Sequence, residues 1–352
     1  MYPLLYRRRA RTFFCGGLIV FALTLRLAML PGLPRLLLRR CQQALGSEYL
    51  FRTVLFLQTG VTESPLRRNT PVQTGKSSVL RKAAPDSEAQ TPADNGDPAA
   101  ERDSPFTAAE GESITLRGNC TYPVDKTALL QAPLGWTLSS GPKVLILHSH
   151  SCEAYTPSPG LEYEASGDHR TLQPDRSVIA VGDRLAEELD SLGVPCVHDR
   201  SLHDYPDYNR SYASARSSSL ALLEKYPSVV LIIDLHRDAL EKPVRELAEL
   251  DGQSVAPLML VVGTDEGGLD HPHWSRNLSC ALKLQALLER ASPGLCKSLS
   301  FRRERFNGDL SAGAFIVEVG STENTLPEAE AAMPALAGAV AALLRLAEQE
   351  ST

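Results

Sequence analysis

The chain has 352 residues, with 36 lysines and arginines against 42 aspartates and glutamates, and a formal net charge of −6. That balance lacks the basic footprint which nucleic-acid phosphates demand, so nucleic-acid binding is excluded. Seven cysteines are too few for a disulfide scaffold at this length, and with no CxxC pair they suggest neither a zinc ribbon nor a redox motif.

At the amino end, Arg7, Arg8, Arg9 and Arg11 precede FFCGGLIVFALTL, and the apolar character resumes after Arg26 as LAMLPGLP. Taken as one unit of about 20 residues, this predicts a single membrane anchor within residues 1–34, its basic end cytoplasmic and everything after it outside. A cleaved signal peptide is the rival reading, because the uninterrupted apolar run has the length of an h-region. The lack of a small-x-small cleavage site favours the anchor, and either reading exports the rest of the chain. Residues 35–110 are predicted to be a flexible tether: much of this stretch is rich in Pro, Ser, Ala, Asp and Glu and buries too little apolar surface to offset its ordering entropy.

Residues 111–352 carry an alternating pattern. VLIL (144–147) is a short buried strand bounded by Gly141 and Pro142. Residues 177–193 place Val178, Val181, Leu185, Leu189 and Leu192 at helical steps and end in a glycine. VPCV (194–197) reads as a strand, NRSYASARSSSLALLEKYP as a helix stopped by Pro227, and VVLIIDL (229–235) as a central strand covered on both faces. PLMLVVG (257–263), a helix near 273–291, GAFIVEVG (313–320) and a closing helix in LPEAEAAMPALAGAVAALLRLAEQE complete the series. The fold class expected is α/β, a central mostly parallel or mixed sheet flanked by helices.

Three strands run into chemistry. VLIL is followed by His148, Ser149 and His150; VVLIIDL by His236, Arg237 and Asp238; and AFIV by Glu318. Open α/β sheets gather such residues at the carboxyl ends of their strands. Imidazoles plus a carboxylate are what Zn²⁺ takes in catalytic sites, and the HxxE spacing puts His150 and Glu153 within one turn. Each residue also has a plainer reading. A lone strand-end histidine is ordinarily hydrogen-bonded, and Cys152 is either a softer ligand or packing. His169, His198, His203, His271 and His273 read as loop or strand-end residues, and the RRER run at 302–305 as a solvated face. Glu318, inside an apolar strand, is either a proton acceptor near an activated water or the partner of an arginine such as Arg237. Arg237 and Asp238 orient the surroundings of the site, contact substrate carboxylates, or form an internal ion pair. Asn209, Arg210 and Tyr212 touch substrate or cap a helix.

The motifs HSHSCEAYTP, VGDRLAEELDSLGVPCVHDRSLHDYPDYNRSYASAR, YPSVVLIIDLHRDA, HPHW and RFNGDLSAGAFIVEVGSTENT, with the anchor and spacer, resemble the stage II sporulation protein P family over residues 111–349. That family is in turn similar to the zinc-dependent N-acetylmuramoyl-L-alanine amidases. The resemblance implies an amidase-like fold, Zn²⁺, ligands His150 and His236, and Glu318 as the catalytic glutamate. Amidases place their acidic ligand just before the first helix, where this chain has Pro174, Asp175 and Arg176. Glu153 is therefore the expected acidic ligand, with Glu164 and Asp175 behind it and His148 as a less favoured imidazole. The resemblance further implies cleavage of the muramoyl–L-alanine amide of peptidoglycan, with a second, cross-link-cleaving activity. It also implies work between the two membranes of a sporulating cell, in septal thinning and engulfment, alongside stage II sporulation proteins D and M. Two other functions compete: a tethered peptidoglycan-binding scaffold without turnover, and a zinc peptidase acting mainly on cross-links.

Overall fold

The computed structural model describes residues 104–240 and 242–351. The expected anchor and nearly all of the expected tether lie outside them. Thr107 caps helix α1 (Ala108–Ser113), and its neighbour Phe106 is buried under the guanidinium of Arg290. Phe106 thus docks on the body ahead of the boundary expected at residue 111, an aromatic side chain among small and polar neighbours.

Strand β1 (Leu116–Gly118) and helix α2 (Lys126–Gln131) lead to β2 (Val144–Leu147). A short hairpin of β3 (Ala165–Gly167) and β4 (Arg170–Thr171) precedes α3 (Val178–Ser191), capped by the Ser177 hydroxyl and stopped at Gly193, whose φ of +72° suits a glycine. Then come β5 (Cys196–His198), α4 (Ser211–Lys225), β6 (Leu231–Asp238), a second hairpin of β7 (Ala248–Leu250) and β8 (Gln253–Val255), and β9 (Leu258–Gly263). Helix α5 (Trp274–Ala291), β10 (Leu299–Arg302), β11 (Ala314–Ser321), α6 (Leu326–Ala331) and α7 (Met333–Ser351) finish the chain. The expected single closing helix is two, broken just before Pro334.

Seven strands form one sheet in the order β1-β10-β9-β11-β6-β2-β5. All neighbours are parallel except β9 and β11, so the sheet is mixed. Its two faces differ. Leu231, Ile233 and Leu235 of β6, with Val144 and Ile146 of β2 and Phe315 and Val317 of β11, belong to the large core filled by α3, α5 and α7. Each such side chain, fully buried, contributes roughly 1.5–3 kcal/mol of transfer free energy. The opposite face is thin: Leu145, Leu147, Ile232 and Ala314 meet Ala215 of α4 in a small cluster. The closing stretch, residues 326–351, reaches a mean hydropathy of 1.4, enough by length and composition to cross a membrane, but 56% of its most apolar window is buried against the rest of the fold.

Strand alternation then decides where chemistry goes. Along β6, Ile232, Asp234 and His236 share the thin face; along β11, Ala314, Ile316 and Glu318 do, and Glu318 stands in register with His236. The expected strand ended at Leu235 with its functional residues beyond it. In fact His236, Arg237 and Asp238 are in β6, while Glu318 is in β11 as expected, so the site lies on the sheet's face near the strand ends.

Candidate metal centre

His150 follows β2 in a turn closed by a hydrogen bond from the Glu153 amide to the His150 carbonyl, 3.1 Å. That turn carries the Glu153 carboxylate between two imidazoles: Oε1 is 3.4 Å from His150 Nδ1 and Oε2 is 3.4 Å from His236 Nδ1. One donor atom from each of the three lies within 4.8 Å of the others, a convergence unique among the described residues. The His150 ring is stacked on Tyr208, with centroids 4.8 Å apart, and is met edge-on by Tyr212 at 5.4 Å and by His236 at 5.1 Å.

The far nitrogen of His236, Nε2, lies 2.8 Å from Asp234 Oδ1. A carboxylate only accepts, so Nε2 carries a proton, and Nδ1 is the nitrogen turned toward Glu153 and His150. Asp234 is itself fixed by the backbone N–H and hydroxyl of Ser149. This is the carboxylate–histidine support commonly found behind metal-ligating imidazoles. Sequence alone assigned Asp234 no role, although an aspartate two positions before a histidine in an apolar strand must share that histidine's face. Asp234→Asn is expected to weaken zinc binding by about 10–100-fold, as measured by competition with a chromophoric chelator, with the fold retained by circular dichroism.

Charge in the site is set by two carboxylates, Asp234 and Glu153, facing the His236 imidazole. Burial disfavours ionised Glu153, but hydrogen bonds from His150 and His236 and the charges of His236 and Arg237 outweigh it, and the carboxyl stays well below its usual range. Burial also disfavours the imidazolium of His236, yet Asp234 and Glu153 hold it well above the ordinary value. Glu318 is the exception. Burial, aided by the charges of Glu153 and Asp238 against those of His236 and Arg237, pushes its carboxyl up to about 8. Its Oε2 is sealed from solvent without a hydrogen-bond partner. Two imidazoles, one carboxylate and an unpartnered acidic oxygen beside them fit Zn²⁺ and an activated water by donor chemistry.

The remaining candidates sort clearly. Arg237 is buried, with Nη1 3.5 Å from Glu153 Oε1, Nε donating to the Ala154 carbonyl and Nη2 to the His169 carbonyl, so it braces Glu153 and pairs with that residue rather than with Glu318. Asp238 lies 3.4 Å from Lys297 Nζ, in an ion pair away from the trio. His148 alternates onto the other face: its Nδ1 is 2.8 Å from the Leu235 carbonyl and its Nε2 2.8 Å from His198 Nε2, packed on Gly182, where a Cβ would lie 2.6 Å from that nitrogen. Burial and the neighbouring His198 push His148 down to about 3. Glu164 and Asp175 are exposed and outside the trio. Cys152 is buried packing, its thiol raised to about 12 by burial and by Asp204. Of the aromatic wall, Tyr212 is read from the sequence as touching substrate or capping a helix, and Tyr208 is not singled out.

The family model for stage II sporulation protein P (SpoIIP) matches residues 58–341. The chain belongs to that family. Stage II sporulation protein P of Bacillus subtilis (strain 168) is 28% identical over 205 residues, which is 55% of this chain and 49% of that relative. The match thus spans about half the length of the curated relative. Among solved structures, the N-acetylmuramyl-L-alanine amidase Ami1 from Mycobacterium smegmatis is similar with a TM-score of 0.35 and 12% identity, covering 58% of this chain and 98% of Ami1. The CwlD amidase from Clostridioides difficile, solved in complex with the GerS lipoprotein, gives 0.34 and 15%, covering 59% and 98%. Within the family match fall all the residues of the trio, Asp234 and Glu318.

Proposed function

We propose that this chain is a zinc-dependent peptidoglycan hydrolase that cleaves the amide between the lactyl group of muramic acid and L-alanine. The observation carrying this reading is the trio of His150, Glu153 and His236 with the unpartnered Glu318 oxygen on the same sheet face. His150, Glu153 and His236 would hold the zinc, which when bound polarises the scissile carbonyl and makes water more acidic. Glu318 takes one proton from the attacking water as its oxygen adds to the carbonyl carbon. The same carboxyl then returns that proton to the leaving nitrogen as the C–N bond breaks. Asp234 keeps His236 in one tautomer throughout, and Arg237 fixes Glu153 from behind.

Family membership and the basic, apolar amino end support placing this activity outside the cytoplasmic membrane, in septal wall thinning and engulfment, with stage II sporulation proteins D and M as partners. The test is digestion of purified cell walls by the full chain, with products identified by mass spectrometry. Intact stems beginning with L-alanine are expected; fragments cut only at cross-links would convert the reading to a zinc peptidase, and no release at all would leave a binding scaffold.

A further inference from the structure

Beside the trio, on the same side as Tyr212, lies a cavity of about 600 Å³. Tyr212 belongs to both: its ring meets His150 edge-on and also lines the cavity, where it tilts against Phe306 at 5.8 Å. The floor is apolar, with Leu269, 57% exposed, as a further large side chain. The wall carries three cations, Arg216, Arg303 and Arg305, against one acid, Glu304.

These charges are only partly offset. Asp309 accepts both arms of Arg216, at 2.8 and 2.7 Å, and also lies 3.2 Å from Arg305 Nε, so one carboxylate serves two guanidiniums. Glu304 is turned toward Arg302 and Asn119. Arg303 is exposed, and the acid its charge reaches, Glu266, is itself taken up by the Thr121 N–H. A chain of net charge −6 therefore presents a positive concavity next to its candidate metal centre. The run 302–305, expected to be a solvated face, keeps Arg303 exposed and lines this cavity with Arg303, Glu304 and Arg305.

The wall is also held in an unusual shape. Phe306 and Asn307 take φ of 49° and 58°, a region costly for a bulky side chain such as phenylalanine. The Asn307 amide donates to the Tyr212 carbonyl at 2.8 Å, and the Gly267 N–H donates to the Arg303 carbonyl at 2.8 Å, so both flanks of the loop are tied down. Strain of this kind persists where the surroundings over-determine it, and it clusters at ligand clamps.

We propose that this cavity binds the free carboxylates of the substrate's peptide arm, with Arg303 and Arg305 as the recognising cations and Phe306 as the apolar floor. Guanidinium groups recognise carboxylates by paired, charge-assisted hydrogen bonds, and an arm seated here would run from the reacting amide past Tyr212. This rests on the hydrolase reading for the identity of the ligand. The subsite then selects for stems whose carboxyl groups are free over stems in which they are amidated.

The test uses the full chain and calorimetric titration with two ligands that contain no scissile bond: L-alanyl-γ-D-glutamyl-L-lysine and its analogue amidated at both carboxyl groups. The wild type is expected to favour the free acid by about tenfold, the factor one charged hydrogen bond supplies. Arg303→Glu, at an exposed position, should remove that preference, and Arg303→Lys should keep part of it. Equal affinity for the two peptides, or an unchanged preference in Arg303→Glu, overturns the subsite. So does an acetate affinity equal to that of the acidic peptide, which would mark a general anion site. A wild type that shows the preference yet cleaves no wall would overturn the hydrolase reading and leave the subsite standing.

Discussion

Glu318→Gln is expected to lower the kcat/KM of wall hydrolysis by about 10³-fold while zinc content stays at the wild-type level, since positioned proton transfer contributes about 10²–10⁴-fold. Glutamine keeps the size of the side chain and its place beside His236 but cannot accept the water's proton. The same substitution should stabilise the metal-free protein. Burial raises this carboxyl from 4.5 to about 8 in the fold, so the folded state binds a proton that the unfolded chain has released over that interval. Stability conferred by a raised carboxyl is complete below 4.5 and falls as pH rises toward 8. Glutamine resembles the protonated acid at every pH. The melting temperature of metal-free Glu318→Gln should therefore match the wild type near pH 4 and exceed it at pH 8. Lost turnover with gained stability is the signature of a group kept for chemistry. Unaltered hydrolysis in a zinc-loaded, folded Glu318→Gln would remove Glu318 from the mechanism.

How much of this was legible depends on whether the determining physics is local. The apolar runs of β2, β6, β9 and β11 declare themselves because strands buried on both faces must be apolar throughout. Helix α3 is legible from its repeat and its terminal glycine, and both histidines of the trio from their abrupt appearance after apolar strands. The true end of β6 is hidden by the same logic: Asp234, His236 and Asp238 break the apolar run, yet pairing with β11 continues to Asp238. Antiparallel pairing of β9 with β11 has no local signal, since a buried strand reads alike in either direction. Strand β10 escapes because only Leu299 and Phe301 of its four residues are buried. Residues brought to the site from the face of a neighbouring helix, Tyr212 above all, depend on packing between α4 and the sheet that no spacing in the sequence records.

Glu153→Gln is the second large effect expected, and it decides which acid holds the metal. Glu153 is the anion shared by His150, His236 and Arg237, with side-chain exposure of 8% against 6% for the arginine. On the proposed ligand set, a neutral amide in its place removes a zinc ligand, so zinc affinity should fall by more than the roughly 10–100-fold lost when only a supporting residue changes. It also leaves the guanidinium of Arg237 buried without its carboxylate. Breaking a buried ion pair from one side costs about 3–5 kcal/mol, and the lower end applies here because Arg237 keeps the carbonyls of Ala154 and His169. Urea unfolding of the metal-free variant measures that loss, and chelator competition measures the first. Glu164→Gln and Asp175→Asn, both at exposed positions away from the imidazoles, should change neither quantity. If Glu153→Gln binds zinc as tightly as the wild type while either of these does not, the acidic ligand arrives from the segment before α3, and the turn from His150 to Glu153 serves only to brace Arg237.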